Sequence, residues 1–428
     1  MHDYHLRQDV IAEAHARPLQ LLEAPLSLVH ITVLFDGLNA KDVERDVLRL
    51  IRIEGFPVDT SHQGFLFARQ ERSAVRYEPH NEFYTLTLYQ FDSLQPVILT
   101  NVWRESLPGA LLSGTEVLLR KKVRSFMMNR SAESLAEWGG GHFRGKQRIS
   151  SAVMDDSAAV VTDFDIQSGS GFTRFLIEDR GMRPSQLGRL MQRICEIETY
   201  RNMSLLSLPE ARFVMPKLND LDQRLAWLSQ RSFDEDLTGV LARMMDLAAE
   251  VEAISAGTAN RFAATDAYYA LVERNLHELD EQRVDGRQLI REFIDRHLDP
   301  ARKTSRSAAV RIDQLSKRIA RATELIQSQV NLAIENQNKE LLEALNTRDH
   351  RKVRLQAKLE GLSVIVVAYY LYDLVDLALK NLLHEGVLLE QLLIGITIAL
   401  PFIIVCIWII VRRLIRSVRD GTDNVSLK

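Results

Sequence analysis

Ser27-Leu-Val-His-Ile-Thr-Val-Leu-Phe35 and Glu82-Phe-Tyr-Thr-Leu-Thr-Leu-Tyr-Gln-Phe91 are short, apolar, rich in β-branched and aromatic residues, and interrupted by polar groups two apart. That pattern suits half-buried or buried strands. Working outward, Gly64–Arg69, Ser150–Asp155 and Phe172–Asp179 read the same way, while Ala40–Arg52, Gly114–Met128 and Ser185–Leu206 carry helical spacing. Residues 1–207 are thus expected to form an α+β or α/β domain.

Composition changes near residue 200. From Lys217 to Glu360 the chain has one proline, Pro300, and three glycines, Gly239, Gly257 and Gly286, so residues 208–360 should be all-α. Leu208-Pro209-Glu210 marks a helix start, because proline is accepted in a first turn, and a hinge between the two regions. Asp299-Pro300 reads as an N-cap or turn, from which a helix starting near Ser307 runs on the order of 110 Å to Leu383 at 1.5 Å per residue. Ile312, Leu315, Ile319, Ala322 and Ile326 follow heptad spacing. The apolar series then shifts phase to Val330, Ile334, Leu341 and Leu345. Such a stripe suits a coiled coil between subunits, or packing on helices of the same chain.

Two apolar stretches close the chain: Leu362–Leu383, which includes Asp373, Asp376 and Lys380, and Leu392–Val411, which has no charge. About 20 apolar residues cross a bilayer core, so residues 361–412 read as a transmembrane hairpin turning at His384-Glu385-Gly386. Basic flanks (Arg348, Arg351, Lys352, Arg354 and Lys358 before it, Arg412, Arg413, Arg416 and Arg419 after it) predict cytoplasmic ends. Residues 413–428 would be a basic cytoplasmic tail. Met1-His-Asp-Tyr-His5 opens no signal peptide. These features place the protein in a bacterial inner membrane with two spans, facing the cytoplasm. A net charge of −3 disfavours nucleic acid as partner, and two cysteines, Cys195 and Cys406, build neither a disulfide framework nor a cysteine-rich zinc site.

Glu13-Ala-His-Ala-Arg-Pro18, His80-Asn-Glu-Phe-Tyr-Thr85, Gly171-Phe-Thr-Arg-Phe-Leu176, Asp179-Arg-Gly-Met182, Glu196-Ile-Glu-Thr-Tyr-Arg201, Leu208-Pro-Glu-Ala-Arg212 and Glu360-Gly-Leu-Ser363 resemble stretches of an uncharacterised bacterial family of membrane-anchored proteins, a domain-of-unknown-function family of about this length. The resemblance marks His15, Arg17, His80, Glu82 and Arg201 without implying a chemistry. Separately, the order of parts resembles CorA-type cation channels. The Gly-Met-Asn signature of those channels is absent; Lys380-Asn-Leu-Leu-His-Glu-Gly386 stands in its place.

No catalytic motif emerges. Gly140-Gly-His-Phe-Arg-Gly-Lys146 fits G-x-x-x-x-G-K, but Gln147 replaces the metal-binding hydroxyl and the surrounding pattern is not strand-loop-helix. His2, His5 and His15 match no zinc spacing, and no serine sits in a nucleophile elbow. Neither metal nor cofactor is expected. Glu198 and Arg201, three apart on a helix, should form an exposed ion pair. In the first apolar stretch Asp373 and Asp376, beside Tyr369 and Tyr370, are candidates for an ion path, because a carboxylate at that depth must face protein or water. The expected function is an oligomeric, membrane-anchored binding or scaffold protein whose partners are the lipid bilayer and its own copies; the alternative is a CorA-like channel.

Overall fold

In the computed structural model the described residues are 19–58, 64–122, 141–143, 148–231, 237–284 and 286–382, with Tyr4, His5, Arg7, Trp138, Val405, Trp408, Ile409 and Arg413. The chain divides into two compact units, Met1–Ile326 and Gln327–Lys428.

The first unit is built on a sheet of nine strands: β1 (Leu26–Leu34), β2 (Leu66–Arg69), β3 (Ser73–Pro79), β4 (Phe83–Phe91), β5 (Ala110–Lys121), β6 (Ile149–Val153), β7 (Ala158–Ile166), β8 (Thr173–Asp179) and the two-residue β9 (Gln282–Arg283). Their order is β2-β3-β4-β1-β5-β8-β7-β6-β9. Each run of four strands therefore uses one order, the first strand beside the fourth, then the third, then the second. The halves meet where β1 pairs antiparallel with β5. They differ in one pairing, since β4 lies antiparallel to β1 and β8 parallel to β5.

Strand alternation sorts β1 onto two buried faces. Val29, Ile31 and Val33 pack with Val43, Val47 and Ile51 of α1 (Ala40–Ile53) and with Trp103 of α2 (Asn101–Ser106). Leu26 and Leu28 face the other way, into a core completed by Leu187, Leu190 and Ile194 of α3 (Pro184–Leu205), Val272 and Leu276 of α5 (Leu237–Glu278), and Ile290 and Ile294 of α6 (Ile290–Leu382). With helices on both faces, the strand can be apolar almost throughout. Between α3 and α5 in sequence lies α4 (Ser207–Arg231), which packs on α5. A mixed α+β N-terminal part followed by a large helical region is as expected.

Several local expectations are corrected. Gly114–Met128 is not a helix: through Lys121 it belongs to β5, paired on both sides by β1 and β8, and residues beyond 122 lie outside the described set. Its helix-forming Glu116, Leu118 and Leu119 are overridden by tertiary pairing. Gly114 is required there, because a Cβ would come within 2.1 Å of the Phe172 ring. Pro300 does not begin the last helix but sits inside α6. Buried Leu298, Ala301 and Ser305 keep one packed face across it, which offsets the lost hydrogen bond. Ile312, Leu315, Ile319 and Ile326 are buried within the first unit. Packing inside the chain therefore claims that stripe, not a subunit interface.

Among the described residues no helix is long and apolar enough to cross a membrane. This overturns the expected two-span hairpin and, with it, the inner-membrane placement with both termini cytoplasmic. The first expected span is the end of α6, where Asp373 and Asp376 interrupt the apolar window; each charge at a span centre costs about 2.5–3.5 kcal/mol on insertion scales. The second, Leu392–Val411, and the turn at His384–Gly386 lie outside the described residues except for Val405, Trp408 and Ile409.

Candidate ligand-binding site

Two polar residues of β1, His30 and Thr32, lie on the α3 side of the sheet. His30 and Thr32 alternate with the apolar residues of the strand, and Thr87 of β4 stands beside His30 in register. His30 Nδ1 shares a hydrogen bond with Thr87 Oγ1 (2.7 Å), and Nε2 one with Thr199 Oγ1 of α3 (3.0 Å); Thr199 also meets Thr32 Oγ1 at 2.9 Å. Burial, aided by the charges of Arg76 and His80, lowers the His30 pKa to about 3. The imidazole is neutral, fully engaged, and structural.

Next to this network a cavity of about 30 Å³ separates β1, β3 and β4 from α3, room for roughly two waters. Gln20 helps close it. Its carbonyl lies so near Gly188 that a Cβ there would come within 1.8 Å, and Leu22 N donates to Pro184 O at 3.1 Å. Glycine in the first turns of α3 is what lets this segment lie on the helix.

Arg76 of β3 is the decisive wall residue. It is 8% exposed, its Nη2 donates to Glu78 Oε2 at 2.9 Å, and its guanidinium lies 5.3 Å from the Phe65 ring centre. Its Nε–H has no hydrogen-bond partner among the described residues. Burial acts against its charge, yet Glu78, Tyr89 and Glu196 hold its pKa above the ordinary value. A buried donor without an acceptor costs about 1–3 kcal/mol, more when charged, so the cavity is suited to a group carrying an acceptor oxygen.

The other walls are tied into the fold. Glu196 accepts from Gln192 Nε2 (2.7 Å) on its own helix and from Asn275 Nδ2 (3.0 Å) on α5. Burial, with Glu196 and Glu198 adding to it and Arg76 opposing, pushes the Cys195 thiol up to about 12, so it is no nucleophile. Among the described residues no group of three or more His, Cys, Asp or Glu is arranged to hold a metal ion. A larger groove of about 380 Å³ between α5 and α6 is lined by Ser255, Thr258, Phe262, Arg302 and Ser305. Arg302 is already paired with Asp266 at 3.1 Å, and Ser305 with Ser207 at 2.8 Å.

The sequence candidates scatter. His80 lines the cavity, stacked on Phe83 with ring centres 4.2 Å apart. Glu82 lies two residues on and does another job: it accepts from Tyr268 Oη (2.6 Å) and pairs with Arg261 (2.9 Å), fastening the β3–β4 turn to α5. Arg201 pairs with Glu198 at 2.6 Å, but the pair is buried, not exposed: the side chains are 16% and 2% accessible. Thr173 Oγ1 and Asn202 Nδ2 donate to the same carboxylate, each at 3.1 Å. His15 and Arg17 lie outside the described residues. Tyr369, Tyr370, Asp373 and Asp376 belong to the second unit, on α6, where the first three are exposed and Asp376 partly so. Of Gly140–Lys146 only Gly141–Phe143 are described, and His142 O accepts from Arg174 Nη1 at 2.9 Å.

Arg76 was not singled out by sequence, Thr199 stood only inside the stretch Glu196–Arg201, and Cys195 was read only as one of two cysteines. The signal for Arg76 was present in Ser73-Ala-Val-Arg-Tyr-Glu-Pro79, a strand with a lone cation flanked by apolar neighbours. Two stretches carrying the family resemblance, His80–Thr85 and Glu196–Arg201, do converge here: His80, Thr85, Glu196, Thr199 and Tyr200 share the cavity wall.

A family described as protein of unknown function (DUF3422) matches residues 2–418. No curated protein matches the chain.

Proposed function

Because the chain belongs to the DUF3422 family, whose description carries no chemistry, we propose a function from the cavity itself: a binding protein that takes a small ligand with an acceptor oxygen against Arg76. One observation carries this reading, an Nε–H with no partner among the described residues on a guanidinium more than nine-tenths buried in the cavity wall. Binding is favoured over catalysis because the groups that could act chemically are disarmed. His30 is neutral with both nitrogens engaged, and Cys195 holds its proton. Glu78 and Glu196 balance the arginine, which favours a singly charged or neutral oxygen ligand, a small carboxylate or carbonyl, over a multiply charged anion. A channel reading is not carried forward, since it requires membrane spans.

The test is thermal unfolding of the full chain with formate, acetate, acetamide, sulfate or phosphate. A ligand at 100 times its Kd stabilises by about 2.7 kcal/mol, a shift of a few degrees for a chain of this size. Formate, acetate or acetamide should raise Tm in the native protein and lose that effect in Arg76→Gln. Should Arg76→Gln fail to fold, Tyr200→Phe on the same wall is the second variant and should weaken the shift. No shift with any of the five, or a shift that survives both variants, overturns the assignment.

A further inference from the structure

Among the residues from Gln327 to Leu377 whose side chains are described, none is buried. Along this stretch of α6, Ile334, Leu341, Leu345, Leu355, Leu359, Leu362 and Val366 recur at alternating intervals of three and four, with Asn338, Arg348 and Lys352 in the same series. The apolar members are 47–64% exposed. A helix in water draws most of its stability from packing an apolar face, and a heptad series of this kind is the sequence form of a two-helix seam.

We propose that this face pairs with the same face of a second copy of the chain, antiparallel, crossing near Asn346. Charge decides the partner and the direction. Glu335, Lys339, Glu340 and Glu343 make the first part acidic, three acids against one base, a net of −2. Arg348, Asp349, Arg351, Lys352, Arg354 and Lys358 make the next part basic, five bases against one acid, a net of +4. A parallel, in-register pair lays +4 on +4. The antiparallel pair lays −2 on +4 at both ends of the overlap. Paired helices sit 8–10 Å apart, about the screening length at physiological salt of roughly 8 Å, so the difference is attenuated but not lost.

The same crossing also matches the seam. It sets Ile334 opposite Leu359 and Asn338 opposite Leu355, while the aliphatic stems of Lys352 and Arg348 cover Leu341 and Leu345 with their charges turned to solvent. The overlap from Ile334 to Leu359 is about 39 Å of helix, more than three heptads. The face differs from the buried Ile312–Ile326 stripe, and the inference is independent of the cavity.

Sedimentation of the full chain should show a concentration-dependent dimer. Glu335→Lys, Glu340→Lys and Glu343→Lys together should weaken dimerisation at least tenfold, and adding Arg351→Glu, Lys352→Glu and Arg354→Glu should restore it. A nitroxide on Glu335→Cys, with Cys406→Ser to remove the second labelling site, should report about 35 Å between copies, set by 23 residues of axial offset. A distance near the interaxial spacing means a parallel pair and overturns the proposal. So does a chain that stays monomeric at high concentration, or a charge-reversed variant that dimerises as tightly as the native protein.

Discussion

At the residue scale, the sheet–α3 interface is held by polar groups whose protonation is fixed by burial. His30 is the clearest case. Its pKa in the folded protein is about 3, against the usual 6.5, so between those values the unfolded chain binds the proton and the folded chain does not. Stability from this residue is complete above pH 6.5 and is lost as pH falls toward 3. The full loss is on the order of 5 kcal/mol. Urea unfolding at pH 7 and pH 4.5 should show the drop, and His30→Gln should flatten that part of the pH dependence; an unchanged slope would remove His30 as its source. Glu198 poses the opposite problem, a buried carboxylate held by Arg201, Thr173 and Asn202. Arg201→Met leaves that carboxylate without its cation and should cost about 3–5 kcal/mol. Adding Glu198→Gln should return part of the loss. If the double variant is no more stable than Arg201→Met, the pairing is not the source of the cost.

At the element scale, α6 shows how one period serves two ends. Up to Ile326 its apolar face is buried in the first unit, and from Gln327 to Leu377 the described apolar side chains are exposed or half-buried. The phase shift from Ile326 through Val330 to Ile334 falls at that boundary. Ile319→Asn should therefore destabilise the first unit by about 2–5 kcal/mol and leave the subunit mass of the folded fraction unchanged. Thermal unfolding paired with sedimentation separates the outcomes: native stability with a halved mass would return this stripe to an interface. In β5, Glu116, Leu118 and Leu119 favour helix locally, but cross-strand partners decide the state. Arg174 lies opposite Glu116 in register and bonds it at 2.7 Å, as Arg120 and Glu178 do further along the same strands.

At the scale of the whole molecule, the amino-acid order alone determined the division into a strand-rich first part and a helical remainder, five of the strands, and the long final helix. Those features rest on local physics: alternation, 3.6-residue periodicity, and the scarcity of Gly and Pro after residue 217. Glu82 and His80 were legible as residues of interest but not as neighbours with different tasks, one fastening a turn to α5 and one lining a cavity. Three features came from the folded structure and its long-range contacts. It set the shared order of the two four-stranded halves, because strand pairing is non-local. It showed that no described helix is apolar and long enough to cross a membrane, where short-range hydropathy had suggested a hairpin. And it made Arg76 the centre of the candidate site. A cation in a half-apolar strand is unremarkable until a helix more than a hundred residues later closes over it, strips its water, and leaves one N–H without an acceptor among the described residues.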